Sequence, residues 1–379
     1  METTNSMYSV LNPMFFVSKL LGLAPFNVTS QEATDSLPAT IWKQYNSIML
    51  SVGDNMSVFM DVFGMGLSIL CGVFFRNRVV EAINELSFID KEFKTFNYVS
   101  DLQKMYKKNQ KVVTFLTTFL TLYFLTYIIV NTCTYFHTFS LVFVGDVIAY
   151  VCPTITNGLI EMQFCVLIIL IKKRLCWLNN QMNQVGEILW KSNFSNQNPM
   201  MIIMKTKYFH KKLCDISETV NKAYSFQLLF MLMALFLNTI MTLFYWAIQS
   251  VPTNRTEILV ADVIYMNNKF VFGVLQVLVL VYVCSSTTQE AKKTGTLIHD
   301  IMPPSNVLQH REAIQIQLSC FSLQLANRNI QFSACGVFLI NETLIYSIIG
   351  AASAYLVIVI QFELTSSTTG ASKNHTASG

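Results

Sequence analysis

Polar side chains recur at helical spacing inside the apolar runs of this chain, and they are the groups with chemistry to offer. Tyr123, Tyr127 and Asn131 fall at every fourth position. Asn238, Thr242 and Tyr245 form a second stripe, with Trp246 beside it, and Tyr265, Asn268, Phe272 and Gln276 a third. Tyr150, Asn157 and Glu161 make a fourth, with Pro153 placed to bend their helix, and Asp61 follows Ser57 by one turn in a fifth. Aromatic walls with a few convergent hydrogen-bonding groups suit a pocket for a small organic molecule. Each of these side chains by itself is equally suited to bonding a neighbouring helix. The repetition toward one end of several runs is what points to a pocket. Glu161 lies eleven residues before Lys172, about 16 Å along a helix, where a carboxyl must be protonated, paired or hydrated. It reads either as a group recognising a cationic or polyhydroxy ligand or as a neutral acid bonded to a neighbour. Lys269 reads as a residue that snorkels to the surface.

The chemistry of an enzyme is missing from the pattern. The nine cysteines are scattered without a CxxC or Cys/His cluster, so neither a metal site nor a disulfide scaffold is indicated, although Cys133 and Cys152 fall toward one side and are able to pair. The five histidines form no His-Glu-x-x-His motif, and no Gly-rich phosphate loop or GxSxG turn occurs. No cofactor and no nucleic-acid partner is expected.

The elements that must hold the polar stripes are membrane helices. Hydrophobic residues make up 53% of the chain and charged ones 13%, about half the charge of a soluble domain. Clear spans run at about Met56–Phe75, Val112–Cys133, Phe143–Ile171, Tyr224–Ile248, Ala261–Cys284 and Leu344–Phe362. The segments 76–111, 172–222 and 285–343 hold 21 of the 26 basic residues, including the Lys172-Lys173-Arg174 stop, which places them in the cytoplasm and the C-terminus outside. The sequon at Asn254 then falls on the outer side, open to glycosylation. Pro38–Val52 is short for a span and carries Lys43 and Gln44; it reads as a marginal first helix or as the shortened remnant of one.

The last apolar run ends in Tyr355, five aliphatic residues, Gln361 and Phe362. This resembles the signature that closes the last helix of insect gustatory receptors, with Ala354 where the signature has Thr. The resemblance extends over Gln315 to Leu325, Phe332-Ser333-Ala334, Gly336-Val337-Phe338, Asn341 and Ser347-Ile348-Ile349. It also takes in the N-terminal residues Leu11, Pro13, Ser18, Leu21, Gly22, Pro25 and Phe26. It implies an all-α polytopic plasma-membrane protein of seven spans, N-terminus inside, assembled as a tetrameric ligand-gated cation channel with the last helix around the pore. The expected divisions are a cytoplasmic segment 1–37, a ligand-binding bundle 38–284, a cytoplasmic and anchor-helix region 285–343, a pore-lining helix 344–362 and an outer tail 363–379. In the family the last helix is interrupted, and the runs 311–328 and 344–362 fit its two halves. Phe321, Leu325 and Phe332 are the expected anchors between subunits.

On the pore helix Gly350, Ala354, Val357 and Gln361 share a face with Ile358 alongside, and Phe362 lies about 100° from Gln361. The gating expectation is that Phe362 dewets the closed pore and the Gln361 amide lines the open one. The implied partners are a small-molecule tastant, membrane lipid, three further copies of the chain and possible mixed assembly with other gustatory receptors. The alternative is a transporter, or a non-conducting subunit that needs a partner receptor. The stripes suit sugars, glycosides, alkaloids and amino acids alike.

Overall fold

Three of the apolar runs belong to helices well past the length a bilayer needs, because the residues that follow them in two cases, and precede them in the third, continue the helix. The computed structural model describes residues 58–94, 152–191, 198–249, 260–302 and 312–355, with residues 111, 114, 115, 118, 122, 125, 357, 358 and 361. Its elements are α1 (Val58–Phe74), α2 (Arg76–Lys94), α3 (Cys152–Lys191), α4 (Pro199–Gln249), α5 (Val260–Ile301), α6 (Glu312–Asn327), a hairpin of β1 (Ser333–Ala334) and β2 (Phe338–Leu339), and α7 over 342–355. Among the described residues three helices are long and apolar enough to cross a bilayer, and the bent pair α1–α2 makes a fourth if it counts as one span. The expected spans at Pro38–Val52 and through most of Val112–Cys133 lie outside the described residues.

Lipid-facing and protein-facing sides separate cleanly on α5. Val271, Val274, Leu275, Leu278, Val279 and Tyr282, at the spacing of one helix face, are exposed, while Phe272, Gln276, Leu280 and Cys284 on the other side are buried. An exposed apolar stripe of that length belongs in hydrocarbon.

The chain divides into two compact units. One comprises residues 1–62, 234–270 and 349–379, the other 63–233 and 271–348. In the second, α1 and α2 meet at a 59° bend at Phe75, where the apolar run ends and Arg76 and Arg78 begin. The bend keeps its hydrogen bonds: Phe75 N–H donates to the Cys71 carbonyl and Val79 N–H to that of Phe75. Beyond it, α2 buries Ala82, Leu86, Ile89, Asp90 and Phe93 at helical spacing. Phe93 stacks on Trp177 of α3 with centroids 3.9 Å apart and meets Phe209 of α4 edge-on. Beside these rings Arg174 bonds both carboxylate oxygens of Asp90, at 3.0 and 2.6 Å, and donates a third bond to the Leu170 carbonyl.

A hydrophobic core of this unit is a cluster of Met182, Val185, Ile202, Ile203, Ile298, Ile301, Leu318 and Phe321 from α3, α4, α5 and α6. This corrects the expectation for the subunit anchors. Phe321 and Phe332 are buried inside their own chain, and Leu325 packs against the same core. A helix that must cover this core turns its largest apolar groups inward, and the residues α6 leaves outward include Ile316, Cys320 and Leu323. Gly186 belongs to the same contact: a Cβ there would lie 3.0 Å from Ile301 Cγ1. Gly186→Val is therefore expected to destabilise the fold by about 1–3 kcal/mol, seen as a lower melting temperature of the detergent-solubilised protein.

The hairpin interrupts what sequence pattern alone presents as one broken helix. Ser333 pairs with Leu339 and Ala334 with Phe338, and the chain turns through Cys335 (φ 52°) and Gly336 (φ 71°). Glycine adopts that conformation freely, whereas Cys335 is held in it at a cost.

Candidate ligand site and pore-lining helix

Each compact unit gathers a subset of the polar residues. In the unit that holds residues 63–233 and 271–348, α3 meets α5 through Gly158, whose missing Cβ would lie 3.4 Å from the Phe272 ring and 3.9 Å from Gln276 Nε2. The close approach that glycine permits brings Gln276 against Glu161, one turn farther along α3, and the amide donates a hydrogen bond to the carboxyl. Both side chains are buried. The Oε1 oxygen of Glu161 has no hydrogen-bond partner among the described residues. Asn157 precedes this pair on α3, with its amide nitrogen 4.0 Å from the place of a Cβ on Gly64 of α1. Small residues on α1 and α3 thus let polar groups approach without bulky neighbours. The result is a buried carboxyl oxygen with hydrogen-bonding capacity unused among the described residues.

A second buried amide, Gln227 on α4, repeats the motif. Its Nε2 donates to the Ser68 carbonyl of α1 at 3.1 Å, and its Oε1 has no partner among the described residues. Gln227 was not among the residues the sequence stripes single out, although an amide three residues into the apolar run from Tyr224 was the available signal.

In the unit that holds residues 1–62, 234–270 and 349–379, buried Asp61 and part-buried Lys269 form an ion pair at 2.6 Å. This overturns the reading of Lys269 as a snorkelling residue. Its ammonium stays in the protein because a carboxylate of opposite charge awaits it from α1. Asn238 and Thr242 are buried on α4, and the Thr242 hydroxyl donates to the Asn238 carbonyl at 2.8 Å, which leaves it only acceptor capacity for anything else. Trp246 is partly exposed and meets Phe270 edge-on at 5.3 Å. Tyr245 and Tyr265 lie on α4 and α5, but their side chains are outside the described residues, as are Tyr123, Tyr127, Asn131, Tyr150 and Asn254 altogether.

Of the expected pore residues, Val357 and Gln361 are exposed, Ala354 and Ile358 are half-buried, and Phe362 lies outside the described residues. No group of three or more metal-ligating side chains occurs among the described residues.

Comparison with known proteins gives consistent matches. The family model described as 7tm Chemosensory receptor matches residues 33–366. The Drosophila melanogaster protein named gustatory receptor 28a is 29% identical over 181 residues, 47% of this chain and 39% of its own length. The gustatory receptor for bitter taste 66a of the same organism is 28% identical over 166 residues, 41% of this chain and 29% of its own length. The matched region thus spans about two-fifths or less of these curated relatives. The insect olfactory receptor OR5 from Machilis hrabei has a similar fold, with a TM-score of 0.54 at 13% identity over 94% of this chain and 99% of that one. Its complex with eugenol matches with a TM-score of 0.51 at 12% identity over 93% of this chain and 98% of that chain.

Proposed function

The chain belongs to the 7tm chemosensory receptor family, a multi-pass protein of the plasma membrane, and from that premise we propose that it is a gustatory receptor acting as a ligand-gated cation channel. The observation that carries the ligand-binding half is Glu161, an intramembrane carboxyl buried beside Gln276 with one oxygen unpartnered among the described residues. A buried carboxyl oxygen left without a hydrogen bond is costly, and a ligand hydroxyl, amide or ammonium removes that cost. The gustatory receptors among its relatives and the eugenol complex of the olfactory receptor support a small organic tastant.

The full topology in this reading is seven helices, with Pro38–Val52 as the first, the N-terminus inside and the C-terminus outside. Tetramers assemble through the outward face of α6, around Ile316 and Leu323, and the last helix of each subunit lines the pore. Phe362 closes it and Gln361 lines it when open, with Val357, Ala354 and Ile358 along the wall.

The test needs no ligand. The chain is expressed alone and membrane current is recorded for the wild type and for Phe362→Ala. A standing cation current is expected in the variant and absent in the wild type, and Gln361→Ala in the same chain should change its reversal potential. Absence of current at confirmed surface expression would remove the homomeric channel and leave a subunit that requires a partner receptor.

A further inference from the structure

The start of α7 is held by side chains from two other helices, and none of these residues belongs to the ligand site or the pore. A hairpin of two-residue strands is too short to be stable unaided. It is clasped by α4: Asn221 Oδ1 accepts the Ser333 N–H at 3.1 Å, while Ser225 Oγ accepts the Cys335 N–H at 2.6 Å and donates to the Ser333 carbonyl at 3.3 Å. Asn221 and Ser225 are one helical turn apart, so a single face of α4 makes all three bonds. The Ser225 bond falls on Cys335, the residue held at positive φ, and so fixes the turn where it is most strained.

From the clasp the chain leads straight into α7. Ile340 N–H closes the hairpin base on the Phe332 carbonyl at 2.9 Å. Asn341 then caps the helix, its Oδ1 accepting the Thr343 N–H at 3.1 Å. In the first turn the Glu342 carboxylate accepts a bond from Ser285 Oγ of α5 at 3.0 Å. Ser285 lies nine residues beyond Gln276 on the same continuous helix, about 14 Å along its axis. The helix that carries Gln276 to Glu161 therefore also grips the first turn of α7.

We infer that Asn221, Ser225 and Ser285 are positioning residues for gating, which tie the start of α7 to α4 and α5 so that the pore helix turns when those helices shift on ligand binding. The inference rests on the channel reading for its consequence, but the tie itself is open to a measurement that needs no current. Full-length protein with Ser347→Cys on an exposed position of α7, in a background with Cys152, Cys176, Cys320 and Cys335 each replaced by serine, is labelled with a water-soluble maleimide. Ser225→Ala and Asn221→Ala are each expected to change the labelling rate by about threefold or more, the population shift that one lost hydrogen bond produces. Ser225→Thr keeps the hydroxyl and should restore the parent rate. Ser285→Ala, at an exposed contact that cannot unfold the chain, should act in the same direction. The same variants are expected to alter the standing current of Phe362→Ala without moving its reversal potential. Unchanged labelling in both Ser225→Ala and Ser285→Ala overturns the inference even where that current is present. Altered labelling with no current in Phe362→Ala leaves the tie standing and removes the homomeric channel.

Discussion

Arg174→Met is expected to cost about 3–5 kcal/mol of stability, because it leaves the Asp90 carboxylate buried with its bidentate partner gone. The side chains are 2% and 9% exposed, so water cannot take over the lost bonds. Losing the guanidinium also removes the donor to the Leu170 carbonyl. Replacing both partners, Arg174→Met with Asp90→Leu, should recover most of the loss, since apolar groups of similar volume need no charge partner in that position. Fluorescence-detected size-exclusion melting of the solubilised protein checks both. If the single and double variants melt together, the pair contributes no more than its packing.

Phe321→Ala is expected to cost about 3–5 kcal/mol as well, but through a cavity. Its ring is fully buried among Met182, Ile203, Ile298 and their neighbours, with His210 edge-on at 5.9 Å. Leu323→Asp two residues on should act differently. Leu323 is 64% exposed, so a charge there is tolerated within one chain and opposes only whatever covers that face. The expected results are a lowered melting temperature with Phe321→Ala, and an unchanged one with a shift to smaller oligomers for Leu323→Asp. Crosslinking before denaturing electrophoresis reads the second. The reverse pattern would return Phe321 to the subunit boundary.

Arg174 shows how far the sequence was legible. The Lys172-Lys173-Arg174 run is legible as the basic end of the apolar part of α3, because composition alone marks where an apolar run stops. Which of the three turns inward depends on an aspartate 84 residues away, and no local pattern records that. The same limit separates Asp61 from Lys269. Each is visible as an oddity in an apolar run, but their pairing spans 208 residues of chain. Helical spacing did pick out buried polar positions, since Asp61, Glu161, Asn238, Thr242 and Gln276 are all buried. It could not place Phe321. An aromatic in an amphipathic helix serves the chain's own core or a neighbour's surface equally well, and the helix pattern is the same in both cases. The hairpin was hidden for another reason: strands of two residues have no periodicity to read.

The continuous helices α3, α4 and α5 contain 40, 51 and 42 residues, about 60 to 75 Å each, roughly twice the hydrocarbon thickness. The same helices are therefore stabilised by two different solvents. Within lipid, side chains associate by dispersion and hydrogen bonding, with little gained from expelling water. Around Met182, Val185, Leu318 and Phe321 they are driven together by water, with the large heat-capacity change that accompanies such burial. Chilling and urea weaken the second kind of adhesion selectively. The end of the helices that holds this cluster is thus the thermally tuned part of the molecule, and a bilayer that protects the apolar runs offers it no shelter.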